Sequence, residues 1–272
     1  MRLFSKVATA KFTRGVATAG VLLCTGMLSA EPSAALEINV VRGVLILEGK
    51  IASGDYITVR NFLSEPLNFQ KMTGEVFLAS QGGDVFEALK IGYLIRHLRL
   101  TTDAPSRPPP TVRSSRSEII RPFDLVNPRN YQCTSACFFL YVAGVYRDFI
   151  WAGRLGIHHP QIEHKAIGAT ESDLSIATVD MRDKLKRYFE EMNVPNKYLD
   201  LMYSTPSNAV YWITQTEFDS DLKGYVPELK ALLEARCNSR LGAEQGTEMQ
   251  KCIVQSKTEL RTKAWRTIFH RD

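Results

Sequence analysis

A serine, a histidine and a pair of glycines stand in this chain at spacings that suit acyl transfer. Residues 131–160 read YQCTSACFFLYVAGVYRDFIWAGRLGIHHP. The small residues Thr134, Ser135 and Ala136 precede an apolar run, and Ile157-His158-His159-Pro160 closes the segment, with His158 23 residues beyond Ser135. Upstream, residues 78–84 read LASQGGD. A serine hydroxyl becomes a useful nucleophile only when a base takes its proton, and histidine can do so near neutral pH. The tetrahedral intermediate then needs main-chain N–H groups aimed at its oxyanion. A Gly-Gly turn lets the backbone come close to a substrate because no side chain intervenes.

These residues have to be positioned by ordered elements, and the surrounding pattern supplies them. Residues 74–80 (GEVFLAS) form a short apolar run ended by a glycine turn, as expected of a buried parallel strand. Val85, Ala88, Leu89, Ile91, Leu94, Ile95 and Leu98 recur at helical spacing over 85–99. Strand, glycine turn and helix make the first half of a βαβ unit. Ahead of it, 37–51 alternates in two bursts around Arg42-Gly43, predicting a hairpin, and 53–63 has helical character. After Ser135 the apolar face predicts a buried helix to residue 146, then a returning strand over 147–158. Amphipathic helices are expected over 170–192 and 196–202, and the chain from 227 onward is helical and charge-rich.

Residues 101–130 interrupt this pattern. Ser106-Arg107-Pro108-Pro109-Pro110 and the Arg/Ser run of 113–116 predict an inserted exposed loop, either a linker or a rim over the site.

The net charge of +5 falls to +1 once Arg2, Lys6, Lys11 and Arg14 of the acid-free start are set aside. Charge therefore gives no argument for a nucleic-acid partner. The basic start, the apolar run of 15–30 and the small residues through Ala35 predict a secretory signal or a membrane anchor over 1–35. Membrane association would then run through this segment.

Outside the leader stand four cysteines, Cys133, Cys137, Cys237 and Cys252. In an exported chain an even number permits disulfides, and proximity pairs Cys133 with Cys137 and Cys237 with Cys252. Cys133 and Cys137 can equally be read as two small buried apolar residues. Their spacings are not those of a zinc site. His158, His159 and His164 with Glu163 are poor metal ligands as a set, because adjacent residues on a strand face opposite ways. Trp151 and Trp212 read as core aromatics. No cofactor is implied, and no P-loop is present.

The order and spacing of the Gly-Gly, Ser and His segments resemble the ClpP-like serine peptidases of the ClpP/crotonase superfamily, well over 74–160 and loosely over 37–225. The resemblance implies an α/β spiral of ββα units over 36–225, with a helical C-terminal extension over 226–272. Ser80-Gln81-Gly82-Gly83 matches the family's Ser-Pro-Gly-Gly, Ser135 the nucleophile before an Ala-Gly-containing helix (Ala143-Gly144), and Ile157-His158-His159-Pro160 the base motif. Carried over residue by residue, Ser135 is the nucleophile and His158 the base. The amides of Gly83, of Asp84 and of Ala136 form the oxyanion hole. Asn208 falls where the family places its aspartate.

The resemblance further implies a homo-oligomer acting on peptides or unfolded protein, with any ATPase on a separate chain. With Asn208 in the acid position, an inactive binding or scaffold protein of the envelope is the alternative. An acyl-CoA enzyme is disfavoured in an exported chain, because coenzyme A is cytosolic.

Overall fold

The computed structural model describes residues 35–105, 126–148, 154–160, 171–237 and 246–270. Residues 1–34, where a signal or anchor is expected, the Pro/Arg/Ser-rich stretch 106–125, Trp151, Glu163 and His164 lie outside the described residues.

The hairpin is present as β1 (Glu37–Val41) and β2 (Val44–Glu48), antiparallel, with Val41 opposite Val44. Arg42 and Gly43 both take positive φ, 52° and 85°, as a two-residue turn between right-twisted strands requires. α1 (Asp55–Ser64) and α2 (Pro66–Lys71) cross to β3 (Glu75–Ala79), which lies parallel to β2. α3 (Val85–His97) follows at once, and Ala88, Leu89, Ile91, Leu94 and Ile95 of the 3.6-residue period are buried, together with Glu87 and Gly92, while Val85 is half-buried. The Asp84 carboxylate accepts from the Glu87 amide at 3.0 Å and so caps the first turn. Such a cap contributes about 1 kcal/mol.

β4 (Thr101–Asp103) corrects the expectation of a loop beginning at 101, because this three-residue strand pairs in parallel with β3 on one side. On its other side it pairs with β6 (Tyr146–Asp148). Two threonines and an aspartate carry almost no strand signal. They are held there by their neighbours, and the Thr102 hydroxyl donates to the Tyr141 carbonyl at 2.6 Å.

β9 (Gly224–Tyr225) closes the far edge antiparallel to β6, giving a six-stranded sheet ordered β1-β2-β3-β4-β6-β9. A second, three-stranded sheet is built from β5 (Cys133–Thr134), β7 (Leu155–Ile157) and β8 (Tyr211–Trp212), in the order β5-β7-β8. The single strand expected over 147–158 is thus two, β6 and β7, in different sheets. A bridge between Ser80 and Cys133 joins the sheets where β3 ends.

Between them runs α4 (Ala136–Val142), every residue of which is buried. Phe138 and Phe139 pack on Tyr188 and Phe189 of α5 (Glu171–Glu191), and the Tyr188 hydroxyl donates to the Phe139 carbonyl at 2.8 Å. Each such aromatic stabilises the fold by about 1.5–3 kcal/mol on burial, and this layer is the centre of the core. α6 (Lys197–Ser204) and the short turn α7 (Gln215–Glu217) lead back to β9.

α8 (Pro227–Arg236) and α9 (Thr247–Phe269) form the C-terminal extension. A Cys237–Cys252 disulfide, with Cα atoms 5.9 Å apart, ties them together. α9 is part of the main core. Trp265 stacks on Phe69, and its indole N–H donates to the Leu63 carbonyl at 2.7 Å.

The architecture is therefore mixed α/β, with a mostly parallel central sheet. No helix among the described residues is long and apolar enough to cross a membrane. The two disulfides fit an oxidising compartment.

Candidate active site around Ser135

Ser135 lies at the turn from β5 into α4 with φ 56° and ψ −125°. An L-residue with a Cβ meets steric resistance there. Such a conformation costs on the order of 1–3 kcal/mol and persists only when its surroundings enforce it. Three constraints do so. The Ser135 amide donates to the Gly156 carbonyl of β7 at 3.0 Å. The Ser135 carbonyl accepts from Phe138 in the first turn of α4. Finally, Cys133 and Cys137, both fully buried, are joined across the turn with Cα atoms 5.2 Å apart. A strained serine on a sharp strand-to-helix turn is the geometry of a nucleophile elbow.

The Gly-Gly segment is clamped beside this turn. Ser80 pairs with β5 through its amide to Gln132 (2.7 Å) and its carbonyl to Thr134 (3.1 Å). On the opposite side Ile51 donates to Gly82 and accepts from Asp84, both at 2.9 Å.

No main-chain hydrogen bond of the described residues engages the Gly83 or the Ala136 amide. Asp84 is a correction to the oxyanion set. Its amide is committed to Ile51 and its carboxylate to the cap of α3. Gly82, which the sequence placed in the Gly-Gly turn without a role of its own, packs directly against the serine turn. A Cβ there would lie 2.6 Å from Ser135 Cβ, 2.8 Å from Thr134 O and 2.9 Å from Ala136 N. Its φ of 97° and this contact together admit only glycine. At Gly83 a Cβ would fall 2.0 Å from the Ile51 carbonyl oxygen.

His158 follows β7 as Ser135 follows β5, and the two strands are parallel with Thr134 beside Gly156. Serine and histidine therefore emerge from the same edge of neighbouring strands, both partly buried. His158 Nδ1 lies 3.0 Å from the His159 carbonyl oxygen. A carbonyl can only accept, so this contact suits a proton on Nδ1, with Nε2 left as the nitrogen that can face a substrate. The His159 amide is in turn held by the Thr205 carbonyl at 2.9 Å, and its ring stands edge-on to Tyr203.

Asn208 does not occupy the orienting position. It lies exposed on the turn between α6 and β8, and no hydrogen bond among the described residues joins it to His158. Two carboxylates that follow His158 in the chain are engaged elsewhere. Asp180 pairs with Lys184 at 2.6 Å, and Asp221 accepts from Tyr198 at 2.8 Å. Among the described residues no group of three metal-ligating side chains converges.

Trp212 is likewise not core. It is 41% exposed on β8, opposite Gly156, with Arg154 over its ring at 5.4 Å. Gly156 is hemmed by Val210, Thr134 and Trp212, so an apolar surface formed by Val210 and Trp212 adjoins the serine turn. Phe86, 47% exposed at the start of α3, adds a third apolar side chain just beyond the Gly-Gly segment. No family model matches the chain, and no curated protein matches it significantly.

Proposed function

We propose that the chain is an exported ClpP-like serine hydrolase that cleaves peptides or unfolded protein through an acyl-enzyme, without an ATPase of its own. The observation that carries this reading is the left-handed Ser135 at a parallel strand-to-helix turn, with a histidine just past the end of the adjacent strand and two amides that have no main-chain partner among the described residues. In this reading Ser135 Oγ attacks the scissile carbonyl carbon while His158 Nε2 takes its proton. The carbonyl oxygen becomes an oxyanion and accepts from the Gly83 and Ala136 amides. Collapse breaks the C–N bond, and the histidine returns the proton to the leaving amine. Water activated by the same nitrogen then cleaves the ester. The His159 carbonyl holds the Nδ1 proton, in the place usually taken by a carboxylate. The exposed Val210, Trp212 and Phe86 suit apolar side chains of an extended substrate. The disulfides support export, and relatives of this architecture form homo-oligomeric rings, which is the assembly proposed here.

A backbone carbonyl stabilises an imidazolium less than a carboxylate does. That difference favours, as the second reading, a binding protein that keeps the fold without the activity. A fluorophosphonate probe separates the two. Wild type is expected to label, Ser135→Ala and His158→Ala to lose labelling, and Asn208→Ala to change the labelling rate by less than about twofold, as for an exposed side chain without a partner. A folded wild type that stays unlabelled would leave the binding reading.

A further inference from the structure

At the end of the sheet remote from Ser135, α9 closes over a cavity of about 190 Å³. Its walls come from the starts of β3 and β4 and from one face of α9, with Glu75 and Thr101 in register on the two strands. Three cations line it, Arg99, Lys257 and Arg261, against one carboxylate, Glu75.

Arg261 is only 9% exposed, yet its Nε and Nη1 have no hydrogen-bond partner. Its guanidinium lies 5.2 Å over the Phe69 ring, with Nη1 against Gly74, where a Cβ would come within 2.4 Å of it. Lys257 Nζ sits over Tyr146 at 5.4 Å and Tyr225 at 5.6 Å and reaches the Thr101 hydroxyl at 3.5 Å. No carboxylate of the described residues forms an ion pair with either cation. Burial lowers the pKa of both groups.

A buried guanidinium with unmade hydrogen bonds is costly unless something supplies the acceptors. A fork-shaped donor, an ammonium and the Thr101 hydroxyl around one small space are a donor set for a tetrahedral oxyanion. Three positive charges against one negative leave two to be balanced, which matches a dianion.

We propose that this cavity is a binding site for a phosphate monoester, held by Arg261 and Lys257 with Arg99 at the mouth. The ester belongs either to a soluble metabolite or to a lipid headgroup. The site is independent of the reaction at Ser135, because it lies at the opposite end of β3 and β4.

The test is thermal unfolding of the disulfide-intact full chain at constant ionic strength, with inorganic phosphate replacing chloride and acetate as the monoanion control. Phosphate is expected to raise Tm with the logarithm of its concentration, by roughly 5 °C at about 100 times its Kd, and acetate is not. Arg261→Met and Lys257→Gln should each weaken the response at least tenfold. Without phosphate, Arg261→Met should unfold no earlier than wild type, because it removes an unsatisfied buried cation. If Arg261→Met does not fold, Lys257→Gln and Thr101→Val carry the test, with far-ultraviolet circular dichroism as the check on folding.

Co-sedimentation with phosphatidylcholine vesicles containing phosphatidic acid identifies the source. Binding that Lys257→Gln abolishes supports a lipid monoester. A phosphate response without vesicle binding supports a soluble one. No response to either overturns the proposal, as does a phosphate response that survives in both Arg261→Met and Lys257→Gln.

Discussion

The two ends of the central sheet are built on opposite principles. Around Ser135 the structure relies on backbone. Glycines without side chains, a left-handed serine and main-chain bonds to Ile51, Gln132, Thr134 and Gly156 leave amide groups uncommitted. Under α9 it relies on side chains, with Arg261 and Lys257 lowered onto aromatic faces and few partners for their charge. β4 runs from one end to the other in three residues, from Thr101 at the cavity to Asp103 at the far edge. Backbone sites are rigid and intolerant of an added atom, whereas side-chain sites can yield.

Glycine substitutions give the sharpest break between the ends. Gly82→Ala places a methyl against main-chain atoms of the serine turn that cannot move independently. Labelling of Ser135 is expected to fall by more than about 100-fold, as for a misplacement of order 1 Å. Gly74→Ala also carries a positive φ, 97°, but its methyl meets the end of the Arg261 side chain, which can swing. It is expected to cost about 1–2 kcal/mol in urea unfolding and to leave labelling intact. Equal losses of labelling in the two variants would erase the distinction.

The disulfides extend the same contrast. Cys237→Ser/Cys252→Ser opens a 15-residue separation between α8 and α9 and should lower stability by about 3 kcal/mol without touching the serine. Cys133→Ser/Cys137→Ser opens a separation of only four, so its loop-closure contribution is smaller. Its effect should instead appear as slowed labelling, because that bond fixes the turn carrying Ser135. Denaturant midpoints and labelling rates measured on both variants decide it.

A smaller effect tests the acid at the end of β4. Burial, followed by the neighbouring Asp148 carboxylate, pushes the Asp103 carboxyl up to about 7, and its Oδ1 has no hydrogen-bond partner. The folded chain thus keeps a proton that the unfolded chain has already released above about pH 4. The stability tied to that proton is full below the unfolded pKa and is lost as pH rises through about 7. Asp103→Asn should be near neutral at pH 4 and stabilising by more than about 1 kcal/mol at pH 8. A variant equally stable relative to wild type at both pH values would show that Asp103 is not held protonated.

Much of this was readable from residue order, and the failures share a cause. The hairpin around Arg42-Gly43, the strand before Gly82-Gly83, the helix from Val85 and the paired cysteines follow from local periodicity, turn chemistry and spacing. β4 was hidden inside an expected loop because three polar residues become a central strand only through their neighbours. Asn208 stood at a plausible sequence position for the third catalytic member, yet its turn leaves it in solvent.

The amino-acid sequence by itself determined which residues could serve as nucleophile, base and glycine turn, and that the chain forms an α/β core with a helical extension. These are properties of composition, period and spacing, which act over a few residues. Tertiary structure decided which amides remain uncommitted, because that depends on pairing with Ile51, a chain segment 32 residues away from Gly83. It also anchored the backbone beside His158, through the His159 amide to the Thr205 carbonyl. And it brought Arg261 of the last helix beneath Phe69 and Gly74, because burial of a charge is set by what packs over it.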